Sequence, residues 1–229
     1  MITSSNNAKV KQVVQWQTKA KERRKDHVFL AEGVRMCEEA PVKSVREVYL
    51  TEELEQKLRR NAQNGDTAFW DKLQQTGYET VSPEVFAKMA DTQTPQGILT
   101  VLKQPSYDLT QLLDQPEPLF LILENLQDPG NLGTMIRTGE GAGITGVIMN
   151  QQTVDIFNPK TIRATMGSIF RVPFVYVPEL SPVLTQMHEK GIHTYAAHLK
   201  GQKYYDSFSF REPTAFLIGN EGNGLTKEI

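Results

Sequence analysis

Three polar side chains stand beside glycine-rich turns in the C-terminal half of this 229-residue chain: Asn131, Arg137 and Glu221. Asn131 belongs to Gln127-Asp-Pro-Gly-Asn131-Leu-Gly133, with Arg137 four residues further on, and Glu221 lies inside Gly219-Asn-Glu-Gly-Asn-Gly-Leu225. Glycine lets main-chain amides and carbonyls approach a ligand closely and adopt positive φ. Asn131 and Arg137 flank a junction expected between a loop and a helix. Helix N-termini favour anionic groups, and an arginine fork just beyond one can hold a phosphate or a carboxylate. The chemistry on offer is capture of an anionic or nucleotide-like group by main-chain amides, one side-chain amide and one guanidinium. For the loop around Glu221 a second reading stays open, a glycine-rich turn that caps a helix.

Several other chemistries are excluded by residue type or spacing. Gly219 and Gly224 have the spacing of a phosphate-cradling P-loop after the strand-like Phe216-Leu-Ile218. Leu225 occupies the position where that loop needs its lysine, however, so a nucleotide triphosphatase is ruled out. Gly139, Gly141 and Gly143 fall at the far end of a helix rather than after a strand, which removes a dinucleotide fold. The four histidines are scattered, and the closest pair, His193 and His198, lacks the four-residue helical spacing of a zinc pair. Cys37 is the single cysteine, so neither a disulfide framework nor a multi-cysteine metal site can form within the chain.

These side chains must be positioned by an α/β framework. In the C-terminal half, strands are expected at Leu119–Leu123, Gly146–Met149, Val172–Tyr176, Ile192–Ala197 and Ala215–Ile218. Helices are expected from about Leu132 to Gly141, from Pro159, and from Ser181-Pro182. The continuous apolar run Leu119-Phe-Leu-Ile-Leu123 suits a strand buried on both faces, and the alternation implies a parallel sheet with helices on both faces. Such sheets bind ligands outside the carboxyl ends of their strands, where both glycine-rich loops fall. The N-terminal half reads as a smaller α/β unit: a basic helix over 6–25, strands at Val28–Leu30, Val45–Leu50 and Ile98–Leu102, and helices at Gly33–Glu39 and Glu52–Asn61. A further helix is capped by Ser82 with Pro83 at its first position. Pro105, Pro116 and Pro118 punctuate a polar stretch with one short helical turn. The expected division is therefore an N-terminal domain over 1–104, a linker over 105–118 and a C-terminal domain over 119–229.

Composition sets the class. The chain is 39% hydrophobic and 23% charged, ordinary for a soluble protein, and no apolar run approaches the ~18 residues that span a bilayer. The N-terminus lacks the apolar stretch of a secretory signal, so a cytoplasmic location is expected. The formal net charge is −2, yet residues 1–30 carry seven cations against two anions. A basic segment on an otherwise acidic chain is either a phosphate-binding footprint or a solvated helix face.

Beyond these patterns the chain resembles a known family. Glu124-Asn-Leu-Gln-Asp-Pro-Gly-Asn131-Leu-Gly-Thr-Met-Ile-Arg137-Thr-Gly-Glu-Gly-Ala-Gly143 is similar to the first motif of the SpoU/TrmH RNA 2′-O-methyltransferases. Asn158-Pro-Lys-Thr-Ile-Arg163-Ala-Thr-Met-Gly-Ser168 resembles the segment that follows it, and Leu217-Ile-Gly-Asn-Glu221-Gly-Asn-Gly-Leu225 the second motif. Phe29-Leu-Ala-Glu-Gly33 and Asp91-Thr-Gln-Thr-Pro-Gln-Gly97 resemble the family's RNA-recruiting domain. The resemblance implies a C-terminal α/β-knot (SPOUT) methyltransferase domain, a homodimer, and 2′-O-methylation of RNA, ribosomal rather than transfer RNA, with S-adenosylmethionine as donor. It implies catalytic positions at Asn131, Arg137 and Glu221, and cofactor contacts at Leu199, Leu217 and Gly219. It implies no metal. The family carries a third motif containing Ser-Leu-Asn, and the sequence ends at Ile229 before any such segment, so a truncated methyltransferase domain is expected. The rival expectation is an RNA-binding protein that keeps the fold without catalysis.

Overall fold

The structure, a computed structural model, describes residues 1–198, 201 and 203–229. These form two compact units. One comprises Met1–Pro105 together with Phe157–Phe170, and the other comprises Ser106–Ile156 together with Arg171–Ile229.

The first unit is built on a four-stranded sheet of β1 (Val28–Glu32), β2 (Val45–Thr51), β3 (Glu79–Val81) and β4 (Ile98–Lys103), in the order β1-β4-β2-β3. β4 runs antiparallel to both β1 and β2, and β3 is parallel to β2. Successive strand side chains point to opposite faces, and the two cores follow that alternation. Val28, Leu30, Tyr49, Leu99 and Val101 pack against α1 (Ala8–Thr18) and α6 (Pro83–Met89). Val48, Leu50 and Ile98 pack against α3 (Val34–Glu39), α4 (Glu52–Gln63) and α5 (Ala68–Thr76).

The helix expected over 6–25 is two helices, α1 and α2 (Ala20–Asp26), separated by Lys19 in an extended conformation. The break has a chemical cause. Arg23 is buried, and its guanidinium donates to the carbonyls of Trp16 at 2.7 Å and Gln17 at 3.3 Å, which satisfies the last turn of α1. Of the seven cations in the basic segment, Arg23 is thus structural and Lys9 pairs with Glu79. Lys11, Lys19, Lys21, Arg24 and Lys25 remain exposed. α5 and β3 had no counterpart in the sequence expectations, because 68–81 lacks a clean apolar period. Residues 157–170, expected in the C-terminal domain, pack within this first unit. They contain α9 (Pro159–Thr165), and the rings of Phe157 and Phe170 lie 5.0 and 6.3 Å from that of Phe29.

The second unit is a five-stranded, wholly parallel sheet of β5 (Leu119–Leu123), β6 (Gly146–Asn150), β7 (Phe174–Val177), β8 (His193–Ala196) and β9 (Thr214–Ile218). The order is β7-β6-β5-β9-β8, so the last strand is inserted between β5 and β8 rather than added at an edge. α7 (Leu109–Leu113) and α10 (Ser181–Glu189) cover one face. There Leu112, Leu113, Val183 and Met187 pack with Phe120, Ile122, Ile148, Val175 and Leu217. The stretch expected as a linker is therefore folded into this unit, with Leu112 and Leu113 in its core. α8 (Pro129–Gly141) buries Leu132, Gly133, Ile136 and Gly139 along one stripe. Among the described residues no helix is long and apolar enough to cross a membrane.

Candidate active site

The carboxyl ends of β5, β6 and β9 emerge at one edge of the parallel sheet, and the loops after them are tied together by side-chain amides. Asn125 follows β5 with φ +55, a left-handed conformation that asparagine tolerates better than most residues. Its N–H donates to Asn150 Oδ1 at 2.9 Å, and Asn150 Nδ2 donates back to Asn125 Oδ1 at 2.8 Å. Thr153 Oγ1 donates to Asn150 Oδ1 at 2.8 Å. Asn220, after β9, donates from Nδ2 to the Asn125 carbonyl at 2.9 Å, while its Oδ1 accepts the N–H groups of Gly222 and Asn223, each at 3.0 Å. The 220–224 turn is closed by two main-chain bonds between Asn220 and Gly224. These bonds join three loops distant in sequence through neutral groups.

Asn131 lies in the first turn of α8, not in a loop before it. The helix begins at Pro129 because Asp128 caps it, accepting the Asn131 N–H at 2.8 Å. Glu221 closes on that turn. Its Oε1 accepts from Asp128 N at 2.9 Å and from Asn131 Nδ2 at 3.3 Å, and its Oε2 accepts from Gln127 N at 3.1 Å. Burial pushes the Glu221 carboxyl up, but the N–H donors of Asp128, of Glu221 itself and of Gln127, with the Asn131 amide, outweigh it. The net effect holds the group below the ordinary glutamate range. A group so depressed is fully charged above its ordinary value of about 4.3. The clasp therefore holds across neutral pH and loosens only as pH falls through the depressed value. The amide resonances of Gln127 and Asp128 followed from pH 7 to pH 3 should shift together in that low window. Glu221→Gln is not a conservative change here, since its NH2 group would face one of the two main-chain donors. It should slow the reaction at least about tenfold, an unmade charged hydrogen bond costing ~1.5–3 kcal/mol. A wild-type rate would remove Glu221 from the machinery.

Arg137 is not brought to this clasp. Six residues along an α-helix is about 9 Å of rise and about 120° of rotation from Asn131, and the side chain is exposed, with no ion pair or hydrogen bond among the described residues. Leu217 is buried in β9, its carbonyl accepting from Ala197 N at 3.1 Å. Gly219 follows the strand, where a Cβ would sit 2.1 Å from the Gly224 carbonyl carbon and 2.2 Å from Leu225 N. The inner face of this loop is thus main chain. Leu199 falls outside the described residues. Behind the site, Glu124 is buried and its carboxylate accepts from Thr226 N and Thr226 Oγ1, both at 2.7 Å, anchoring the chain after the loop. Asp128, Asn125, Asn150 and Asn220 had no role in the sequence expectations, though all but Asn150 lie within the quoted motifs. The Asp128-Pro129 pair carried the same capping signal that located α6 from Ser82-Pro83. Nothing local marked Asn150. Cys37 takes no part: burial pushes its thiol up to about 12, and Sγ donates to the Ala31 carbonyl at 3.3 Å.

Comparison with known proteins decides the family. Residues 118–229 match the SpoU rRNA Methylase family and residues 7–100 match the MRM3-like substrate binding domain. The 23S rRNA (guanosine(2553)-2′-O)-methyltransferase RlmP of Bacillus subtilis is 33% identical, over 98% of this chain and 84% of that protein. The chain belongs to the SpoU rRNA methylase family. Solved members share both units. The AdoMet-bound rRNA methyltransferase from Sinorhizobium meliloti superposes with a TM-score of 0.82 at 27% identity, over 99% of this chain and 83% of that one. The SpoU methyltransferase AviRb from Streptomyces viridochromogenes, in complex with AdoMet, gives 0.80 at 25% identity, over 97% and 84%. The parallel sheet with β9 inserted beside β5 is accordingly the SpoU methyltransferase fold, joined to a separate substrate-binding unit.

Proposed function

We propose that this protein transfers a methyl group from S-adenosylmethionine to a ribose 2′-hydroxyl of ribosomal RNA. The observation that carries the reading is 33% identity along 98% of the chain to an rRNA 2′-O-methyltransferase, with the Asn131–Glu221 clasp formed at the edge of the sheet. The rival reading, a non-catalytic RNA binder, has no such support.

The donor set suits the cofactor. The loop from Gly219, with no room for a side chain on its inner face and with Leu217 packed in the core behind it, offers uncharged main-chain N–H and C=O groups to a purine edge and an amino-acid end. With Leu199, these are the residues that would hold it. S-adenosylmethionine supplies an electrophilic methyl on a sulfonium. Asn131, oriented by Glu221, positions the ribose. A guanidinium keeps its proton in proteins, so Arg137 does not act as base. It holds an RNA phosphate and stabilises the alkoxide that develops as the hydroxyl proton leaves, a role needed whichever group takes that proton.

Because Arg137 turns away from its own chain's clasp, we assign it to a site completed across a homodimer. We take the first unit, residues 1–105 with 157–170, as the part that recruits RNA and the second unit as the part that carries the reaction, with the exposed cations of α1 and α2 on phosphates. We infer a cytoplasmic location. The test is transfer of labelled methyl to unmodified rRNA by the full-length protein, followed by digestion to nucleosides. A labelled 2′-O-methyl nucleoside is the expected product, and RNA affinity should fall steeply with salt. Label confined to a base, or none in RNA, would sink the reading.

A further inference from the structure

The first unit holds two cavities on either side of a single loop, residues 91–97. One, of about 290 Å³, lies between that loop and the turn after β1, with Gly33, Met36, Thr94, Gln96, Arg163 and Met166 in its wall. The other, of about 330 Å³, lies toward α4 and has Lys57 and Arg60 in its wall. Gln96 is shared by both.

The loop is held rigidly from behind. Glu32, buried at the end of β1, accepts from Asp91 N at 2.8 Å and from the Thr92 hydroxyl, so its charge is committed to the loop rather than to a ligand. Gly97, with φ +84, passes so close to Thr51 that a Cβ would lie 2.5 Å from its Oγ1. Gln96 Oε1 accepts from Val34 N at 2.8 Å. That bond fixes which end of the amide is which and leaves the NH2 group as an unengaged double donor among the described residues.

The rest of the first cavity has the character of a nucleotide seat. Met166, 42% exposed at the end of α9, presents polarizable thioether surface to a flat ring, and the largely buried Met36 adds the edge of its side chain to the same wall. Arg163 and Arg35 line the wall, paired with Asp91 and Glu39 in partly exposed ion pairs. Pairs of that kind are worth little in water and exchange readily for phosphate. Lys57 and Arg60, across the loop, form no ion pair among the described residues. Sequence-specific RNA recognition works mainly on unstacked bases, read along their edges and held on apolar faces.

We propose that the 91–97 loop is the base-reading element of the substrate-binding unit: one unstacked nucleotide of the RNA sits against Met36 and Met166, and the Gln96 NH2 group donates to an acceptor on its base edge. The adjoining strand then crosses the loop, with its phosphate near Lys57 and Arg60. This rests on the methyltransferase reading above and adds the residue that selects the target.

Gln96→Glu tests it. The variant keeps the acceptor for Val34 N and the shape of the side chain, and replaces the free donor with an acceptor. Filter binding to an in vitro transcribed 23S rRNA at fixed salt should show affinity reduced roughly tenfold or more, with calorimetric affinity for S-adenosylmethionine unchanged. Gln96→Ala should weaken binding in the same direction, and Met166→Ala provides a third variant away from the Val34 contact. Lys190→Ala, in the second unit, should match the wild type. Variants at 96 and 166 that bind and methylate like the wild type would overturn the loop's role while leaving the methyltransferase reading intact. A wild-type protein that neither binds nor methylates the transcript would overturn both.

Discussion

Arg137→Ala is expected to slow methyl transfer by at least about a hundredfold, the scale on which a single donor to a developing oxyanion acts. Affinity for S-adenosylmethionine should be unchanged, because the residues assigned to it, Leu217 and Gly219, lie on β9 and its loop rather than on α8. The side chain is exposed and makes no bond within the described chain, so its removal leaves packing untouched. A fall in rate then reports chemistry rather than folding. Arg137→Lys should recover only part of the rate, since an ammonium keeps the charge but loses the planar fork. Single-turnover kinetics at saturating RNA separate the two roles. A mutant that regains the full rate when RNA is raised would show that Arg137 only binds phosphate. Mixing Arg137→Ala with a Glu221→Ala chain gives a further readout: activity restored in the mixture places the two residues of a working site on different subunits.

The second large effect is expected at Gly219. Alanine there puts a methyl carbon 2.1 to 2.4 Å from main-chain atoms of Gly224 and Leu225, contacts that no rotamer can relieve. Overpacking of this kind costs typically ~1–3 kcal/mol, and more where backbone rather than side chain must move. The loop would have to open, breaking the paired bonds between Asn220 and Gly224 and displacing Glu221 from α8. Cofactor affinity should fall by about tenfold or more, and the rate further, because both the cofactor loop and the clasp are lost together. Gly222→Ala is the matched control: its Cβ would meet only Asn220 Oδ1, at an ordinary 3.6 Å. Isothermal calorimetry on the two variants distinguishes a local loop effect from general unfolding. Equal affinities for both would remove the close approach at 219 as a determinant.

Much of this was legible in residue types and spacing. The apolar run at Leu119–Leu123, the alternation of Val45–Leu50 and the Ser82-Pro83 cap each correspond to an element in place. They are local signals, and local signals survive folding. Asn131 and Glu221 could be singled out because glycine and asparagine cluster around them, and the structure joins them at 3.3 Å. The pairing itself spans 90 residues of sequence, which no local pattern carries. The same limit hid Asn150, whose significance comes from a reciprocal bond to Asn125 across 25 residues. It also hid the buried role of Arg23, which in sequence is one cation among seven. α8 was placed three residues late because Pro-Gly-Asn suggests a turn, whereas Asp128 with Pro129 at the first position outweighs that preference and starts a helix. Nor could periodicity reveal that 157–170 leaves the parallel sheet's unit: its helix is an ordinary helix, and the rings at Phe157 and Phe170 with the Arg163–Asp91 pair show where it packs.

That excursion bears on how such proteins can be inherited and recombined. The chain between β6 and β7 lends 157–170 to the other unit, where Arg163 meets Asp91 and two phenylalanines cover Phe29. A crossover near residue 105 would carry Phe29 and Asp91 into a new gene and leave their partners behind. The first unit is therefore discontinuous in the gene, and transplanting it whole requires both segments to travel together.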